Sequence, residues 1–152
     1  MKIEDIYISP GHNFFGHFGG PSGKNQIITL KEVECVAGKG LRGDRFFGHR
    51  ENYQGQITFF AMEVFHHLCN SLKIFDKEPR VFRRNVITSG VDLRGLIGND
   101  FELQGIRFAG VAECIPCVWM NEAFGPGAEE TLRGCGGLRA RILTSGLLRT
   151  EA

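Results

Sequence analysis

Cys135 has the setting in this sequence that most suggests chemistry, because it stands alone among glycines in Leu132–Gly137. Glycine removes side-chain bulk, so a large ligand could approach the sulfur closely. Arg133 supplies a nearby positive charge, which favours the thiolate that ligates soft metals or attacks electrophiles. The same spacing also suits a small buried residue in a tight turn. Spacing alone leaves both interpretations open.

Cys114 and Cys117 form a second sulfur pair, in the order Cys-Ile-Pro-Cys. Two thiols one turn apart can cycle between dithiol and disulfide, or can supply half of a zinc site. Zinc usually needs a second pair at similar spacing, which Cys135 alone does not provide. A βαβ context of the thioredoxin kind is also missing from the pattern. Redox, zinc and structural roles stay open for this pair.

Basic residues supply candidate anion contacts in a chain whose formal net charge is only +1. Alternation along a predicted strand places Arg83 and Asn85 on one face, where fork-shaped donors and an amide could hold a phosphate or a pterin edge. A solvated strand edge is the alternative for them. Arg45 adds a further guanidinium, which could equally pair with Asp44 and pin its loop.

His12 and His17 lie in a long Gly- and Phe-rich stretch, Pro10–Lys24. Long loops in compact domains are often functional. Two histidines could ligate a metal, line the mouth of a site or donate protons near neutral pH. A third ligand is not evident, and plain surface placement is the alternative.

The elements that must position these residues are predicted to be mainly β. The 21 glycines imply many tight turns, and the 13 phenylalanines suit a Phe-lined core. Regular alternation of strand and helix is missing, which favours one closed or nearly closed β domain over residues 1–152. Strands are predicted at Ile3–Ile8, Ile27–Val36, Gln56–Phe60, Val81–Thr88, Phe101–Leu103, Ile106–Phe108 and Leu138–Leu143, and helices at Ala61–Phe75, Val118–Ala123 and Glu129–Leu132.

Length, charge and hydropathy exclude several classes of protein. A length of 152 residues suits a single core. The near-neutral charge argues against nucleic acid and membrane surfaces as partners. Acidic residues occupy the position of a signal peptide's apolar region, and no stretch approaches the roughly 18 apolar residues of a spanning helix. We therefore expect a cytoplasmic protein, and in that reducing compartment the 5 cysteines argue against a disulfide framework.

Taken in order, these motifs resemble the MOSC (molybdenum cofactor sulfurase C-terminal) domain family. The resemblance covers roughly residues 27 to 149. Each motif is weak alone, and their ordered combination is fairly specific. The motifs are Gly43-Asp44-Arg45, Arg83 to Asn85 with Gly90, Leu96 to Gly98, Glu113-Cys114, and a late single cysteine before a Leu-Arg-Ala-Arg-Ile-Leu strand.

The resemblance implies a compact β-barrel-like fold with a few short helices and a bound molybdenum cofactor (molybdopterin). In reducing members a cysteine ligates molybdenum, and Cys135 matches that position. Arg83 and Asn85 match residues that hold the cofactor, and Arg133 matches a neighbour of the ligand cysteine. Arg45, in the Gly-Asp-Arg loop, is expected to join them. Cys117 belongs to a cysteine pair seen in many members.

The resemblance therefore predicts a stand-alone member that reduces N-hydroxylated substrates, with a partner protein delivering electrons. A second hypothesis is a sulfur carrier, which would hold a persulfide on Cys135 after transfer from a donor protein. A thiol–disulfide protein based on Cys114 and Cys117 is the third. The sequence contains no pyridoxal-phosphate sulfurase domain, and it stops before the Gly-Asp turn that precedes one more family strand. We expect that closing strand to be missing.

Overall fold

The computed structural model describes residues 1–12 and 23–151, which form two sheets with short helices. The expectation of a mainly β fold is confirmed. The strands are β1 Lys2–Ile8, β2 Ile28–Leu30, β3 Glu32–Val36, β4 Gly40–Leu41, β5 Ile57–Ala61, β6 Val86–Ser89, β7 Asp100–Leu103, β8 Ile106–Glu113, β9 Leu138–Ile142 and β10 Gly146–Arg149. The helices are α1 Met62–Leu72, α2 Trp119–Ala123 and α3 Ala128–Thr131, with 3-10 helices at Pro79–Phe82 and Leu93–Leu96.

The large sheet has seven strands in the order β2-β1-β6-β5-β9-β8-β7, and β10-β3-β4 form the second sheet. In the large sheet, neighbouring strands are antiparallel except β5 and β6, which are parallel and are connected through α1. A parallel pair needs such a crossover connection, because a tight hairpin turn can join only antiparallel strands. Within the described residues neither sheet closes on itself, so the barrel-like closure expected from the family is not confirmed.

Two apolar clusters pack on opposite faces of the large sheet. Phe59 and Phe60 are neighbours on β5 and are both buried, yet they belong to different clusters. Alternating side chains of a strand point to opposite faces, which explains this division. The buried side of α1 covers the Phe60 face. Cys35 lies in the first cluster and Cys69 in the second, and both are buried.

The predicted strand Val81–Thr88 is wrong over its first half. The chain forms the 3-10 helix Pro79–Phe82 there, and β6 begins only at Val86. Arg83 ends that helix in the left-handed region, with φ of 59° and ψ of 28°. Strand alternation therefore does not apply to Arg83, Arg84 and Asn85, and Arg83 and Asn85 do not share a strand face.

Three further regions can be compared with the predicted strands. The predicted strand Ile27–Val36 is divided at Lys31 into β2 and β3, which belong to different sheets. β10 was not predicted, and it pairs antiparallel with β3. The predicted strands Phe101–Leu103 and Ile106–Phe108 are confirmed as parts of β7 and β8, which form a hairpin whose turn residues Gln104 and Gly105 both have positive φ, at 52° and 80°.

The ends of the described chain are hydrogen-bonded to each other. The Ile3 amide donates to the Glu151 carboxylate at 3.0 Å, and the Glu151 amide donates to the Ile3 carbonyl at 2.9 Å. These bonds fasten the segment after β10 along β1. No helix within the described ranges is long and apolar enough to cross a membrane.

Replacing Gly110 with alanine is expected to destabilise the fold. A Cβ atom there would lie 1.9 Å from the Leu96 carbonyl oxygen, so β8 and the 3-10 helix Leu93–Leu96 must separate. Overpacking of this kind costs about 1–3 kcal/mol. Urea unfolding measures the loss, and Gly95→Ala is the matched control because its Cβ would meet nothing within 4 Å. Equal stability of the two variants would contradict the close packing.

Candidate functional site

Cys135 lies in a turn that connects α3 to β9. The Cys135 amide donates to the Leu132 carbonyl at 2.9 Å, which closes the turn after the helix. Gly134 and Gly137 have φ of 84° and 115°, a backbone region that residues other than glycine rarely adopt. Two of the glycines around the cysteine are therefore required by the path of the backbone.

The glycines after Cys135 make room for the protein's own main chain. A Cβ atom at Gly136 would lie 2.1 Å from the Cys114 carbonyl oxygen, and one at Gly137 would lie 2.5 Å from the Phe59 carbonyl oxygen. The expectation that these glycines leave space for a large ligand is therefore not met at those two positions. Gly134 differs, since a Cβ there would meet nothing within 4 Å.

The half-buried Cys135 side chain lines a cavity of about 550 Å³, which we call the Cys135 cavity. Its apolar wall comes from β5, α1 and the segment around the 3-10 helix Leu93–Leu96. Its polar wall carries three carboxylates, one histidine and one arginine. The apolar members are Ala61, Val64, Val91, Leu93 and Ile97, and the ionisable members besides the thiol are Glu63, His67, Asp92, Arg94 and Glu113.

The electrostatics of this cavity favour the neutral thiol. Burial raises the pKa of Cys135, the Glu113 carboxylate raises it further, and Arg94 acts against both. The cysteine is therefore protonated at neutral pH in this structure. Arg133 was expected to favour the thiolate, but its side chain is exposed and the positive charge acting on the sulfur belongs to Arg94.

Arg83 is buried and holds the chain on either side of residues 13–22. Its guanidinium donates to the Ser9 hydroxyl at 2.5 Å, to the Gly11 carbonyl, and to the Asn25 carbonyl at 3.3 Å. Burial and the nearby charge of Arg45 together lower its pKa to about 10, against the opposing effect of Asp44. It remains charged at neutral pH, and its donors face neutral oxygens.

Arg45 lies beside Arg83 and is paired with the buried carboxylate of Asp44. Its guanidinium lies 3.3 Å from Asp44, donates to the Arg83 carbonyl at 3.4 Å, and covers the Phe46 ring at 4.6 Å. Asp44 also accepts from the Ser9 amide at 3.0 Å. The predicted ion pair of Asp44 and Arg45 is confirmed, and it fastens the loop to the end of β1.

Arg84 and Arg139 extend this positive region toward β9. Arg84 donates to the Gly136 carbonyl at 3.0 Å and to the Phe82 carbonyl at 3.1 Å. Arg139 donates to the Tyr53 hydroxyl at 3.3 Å and lies over that ring at 5.5 Å. Among the described residues neither arginine is paired with a carboxylate. Sequence reasoning missed both as site residues, although it predicted the strand Leu138–Leu143 that carries Arg139.

The rings of Phe46 and Tyr53 join these arginines into one surface. The two rings are stacked with centroids 5.2 Å apart, Arg45 covers the first and Arg139 the second. Burial lowers the pKa of Arg45, and the nearby charge of Arg84 lowers it further against the opposing effect of Asp44. We call this set the arginine face: Arg45, Arg84 and Arg139 with Phe46 and Tyr53.

Asn85 is buried and serves the fold. Its side-chain oxygen accepts from both the amide and the hydroxyl of Thr58 at 3.0 Å, and its side-chain nitrogen donates to the Tyr7 carbonyl at 3.2 Å. The residue therefore connects β1 to β5 just before β6 begins. In the described part of the chain, the Asn85 side-chain amide is hydrogen-bonded to residues of β1 and β5.

Cys114 and Cys117 occupy different environments. Cys114 is buried, and burial raises its pKa while Arg84 and Arg139 act in the opposite direction. Cys117 is exposed, and both thiols are free. The loop between them packs on the Cys135 turn, because a Cβ at Gly136 would also lie 2.9 Å from Pro116 Cδ. Since Arg84 donates to the Gly136 carbonyl, this loop borders the arginine face.

His12 is half-buried, with its ring 5.0 Å from the Phe46 ring. Burial lowers its pKa, and the nearby charges of Arg45, His49 and Arg83 act in the same direction. His17 lies outside the described residues. Across residues 1–12 and 23–151 no group of three or more His, Cys, Asp or Glu side chains could hold a metal ion.

The structure therefore divides the predicted site residues between two places. Cys135 lines a cavity whose described lining includes neither Arg83 nor Asn85. Arg45 and Arg83 lie together outside that lining, with the Arg45 guanidinium donating to the Arg83 carbonyl at 3.4 Å. The expectation of one pocket containing the Cys135 sulfur and the Arg83 guanidinium is not met. The ligand role of Cys135 itself stays a prediction.

A MOSC domain model matches residues 39–151. The chain belongs to the MOSC domain family. A comparison with curated proteins finds no match.

Solved structures show the same MOSC-type fold. The YuaD protein from Bacillus subtilis superimposes with a TM-score of 0.79 at 18% identity, over 98% of this chain and 91% of that one. YiiM from Geobacillus stearothermophilus gives 0.67 at 12% identity, over 97% and 70% of the two chains. YiiM from Escherichia coli gives 0.63 at 14% identity, over 98% and 66%.

Asn85→Ala is expected to lower the free energy of unfolding by about 1–3 kcal/mol, because it removes the partners of a buried amide and a buried carbonyl. Urea denaturation measures the change. Asn99→Ala is the matched control, since the Asn99 side chain is exposed and donates only to the Gly95 carbonyl at 3.0 Å. If both variants unfold at the same urea concentration, Asn85 is not the structural residue described above.

Proposed function

We propose that this MOSC protein binds molybdenum cofactor at the arginine face, with Cys117 as the thiol nearest to the bound group. The observation that supports this is the excess of positive charge: of the three guanidiniums and the adjoining Arg83, only that of Arg45 is paired with a carboxylate, Asp44, among the described residues. An anionic ligand would balance that charge.

The donor set of the arginine face fits the cofactor. Molybdopterin carries a phosphate and a flat pterin with polar edges. Guanidinium groups hold phosphates through paired hydrogen bonds, and they stack on flat rings. Arg84 and Arg139 meet only neutral oxygens and a ring in the described structure, so their positive charge is available to an anion.

Cys117 suits the ligand role better than Cys135. The Cys135 sulfur faces a cavity with three carboxylates against one arginine, which disfavours both thiolate and an anionic cofactor. The Cys117 thiol is exposed, on a loop that packs against the turn contacted by Arg84. A thiolate beside the arginines would gain charge compensation. The sequence-based assignment to Cys135 is kept as the competing assignment.

Bound molybdenum would supply the electron transfer that reduction of N-hydroxylated substrates requires. The residues of this chain would contribute binding and orientation: arginines for the phosphate, rings for the flat surface, and a cysteine thiol. Reduction also needs an electron-donor protein. The five free cysteines suit the reducing cytoplasm, where such a partner would act.

Molybdenum content tests this proposal. Protein purified from a cofactor-producing host should contain molybdenum by elemental analysis. Cys117→Ser should lose it, and Arg84→Gln and Arg139→Gln should each reduce it about 10-fold or more, as loss of supporting contacts does at metal sites. Arg107→Gln is the matched control, because Arg107 is exposed and pairs with Asp100.

Other outcomes select among the hypotheses. Molybdenum retained in Cys117→Ser but lost in Cys135→Ser would return the ligand role to Cys135. A cofactor-free wild-type protein would refute the cofactor proposal. If that protein also carried one extra sulfur atom by intact mass, removable by reductant, it would be the sulfur carrier instead. A readily reduced disulfide between Cys114 and Cys117 would support the thiol–disulfide hypothesis.

A further inference from the structure

The Cys135 cavity is separate from the arginine face. Its described lining contains none of the three arginines of that face. The main chain of Gly136 lies between the two sites: its carbonyl accepts from Arg84 at 3.0 Å, and its amide donates to Glu113 at 3.2 Å. The cavity volume of about 550 Å³ falls in the range of about 300–1,000 Å³ that is usual for small-molecule sites.

Two carboxylates of this cavity are fixed in orientation by main-chain donors. The Gly136 amide donates to one Glu113 oxygen at 3.2 Å, and the Gly90 amide donates to one Glu63 oxygen at 2.7 Å. The second oxygen of each carboxylate accepts no hydrogen bond from the described residues. Both negative charges are therefore held in place and are available for another donor.

The remaining charges of the cavity largely cancel. Asp92 is paired with Arg94 through two contacts of 3.0 and 2.9 Å. His67 lies 3.4 Å from the Ser71 hydroxyl on the same helix. The net field of the lining is thus negative and comes from Glu63 and Glu113.

We propose that the Cys135 cavity is a second binding site, which accepts a small organic cation with an apolar body. The cationic group would lie between Glu63 and Glu113, and the apolar body would pack on Val64, Val91 and Leu93. Charge-assisted hydrogen bonds to fixed carboxylates are stronger than neutral ones. This site goes beyond the proposed cofactor function and does not depend on it.

The Cys135 thiol would contact the bound cation as part of the cavity lining. Burial raises the pKa of Cys135, and the Glu113 carboxylate in the same lining raises it further. The protonated thiol adds no negative charge and presents a soft, nearly apolar surface to the ligand body.

Calorimetric titration of the purified full chain with three benzene derivatives tests the proposal. Benzylamine should bind at least about 10-fold more tightly than benzyl alcohol or benzoate, since only the amine is cationic. Glu63→Gln and Glu113→Gln should each weaken benzylamine binding several-fold, while keeping the oxygen that accepts the main-chain hydrogen bond. Glu102→Gln, which removes an exposed charge on β7, is the matched control and should bind like the wild type.

Protection from alkylation locates the ligand. Benzylamine should slow the reaction of Cys135 with iodoacetamide and leave Cys117 unchanged. Trypsin separates the two thiols, because the peptide 134–139 contains Cys135 while the peptide 108–133 contains Cys114 and Cys117. Mass spectrometry of both peptides then gives the two rates from one sample.

Equal binding of benzylamine and benzoate, no detectable binding, or unchanged binding in both glutamine variants would refute the cation site. Protection of Cys117 instead of Cys135 would place the ligand elsewhere and refute it as well. Molybdenum content measured on the same Glu63→Gln and Glu113→Gln proteins should equal that of the wild type. A failure of the cofactor proposal, which is read from Cys117→Ser, is therefore distinguishable from a failure of this one.

Discussion

The close approach of Gly136 to the main chain of Cys114 is the contact on which both sites depend. A Cβ at Gly136 would lie 2.1 Å from the Cys114 carbonyl oxygen, and the Cys114 amide donates to Gly137 at 2.8 Å. These contacts seat the turn before β9 against the loop after β8. Any side chain at position 136 would force the turn and the loop apart. The cavity on one side and the arginine face on the other would then lose their common wall.

The main chain of Gly136, which separates the two sites, is hydrogen-bonded to a negative side chain on one side and to a positive side chain on the other. The Gly136 amide points its positive end at the Glu113 carboxylate, and the Gly136 carbonyl points its negative end at the Arg84 guanidinium. Buried polar main-chain groups need partners, and here each partner is a charged side chain. Regions of opposite charge can therefore lie close together without direct pairing. Burial raises the pKa of both thiols and Glu113 raises it further in each, while the opposing positive charge comes from Arg94 at Cys135 and from Arg84 and Arg139 at Cys114.

Sequence patterns predicted the elements whose signals are local. The predicted helix Ala61–Phe75 contains α1, and the predicted strands at 101–103, 106–108 and 138–143 match β7, part of β8, and β9. Patterns failed where long-range contacts decide the conformation. Arg83 has positive φ, because a proline-initiated 3-10 helix ends there, and its guanidinium then reaches back to Ser9. β10 is a strand because β3 offers it a partner far away in sequence.

The candidate site was only partly predictable for the same reason. The motif residues Arg45 and Arg83 do lie side by side, which their types and order anticipated. The glycines near Cys135 were interpreted as room for a ligand, but the space at two of them is filled by backbone from Cys114 and Phe59. Spacing along one chain segment cannot reveal which distant segment will fill a gap. The same limit hid the effect of Glu113 and Arg94 on the Cys135 sulfur, where their charges act beside the larger effect of burial.

The pairing of β3 with β10 has a consequence for how the chain acquires its fold. Glu32 and Arg149, which form an ion pair across these strands at 2.8 Å, are 117 residues apart in sequence. Strand pairings between distant segments form slowly, since the entropy of closing a long loop opposes them. During synthesis β3 leaves the ribosome long before its partner and exposes an open strand edge until β10 arrives. Such an edge is a template for intermolecular pairing, so this domain depends on β10 for protection from aggregation as well as for completion of its smaller sheet.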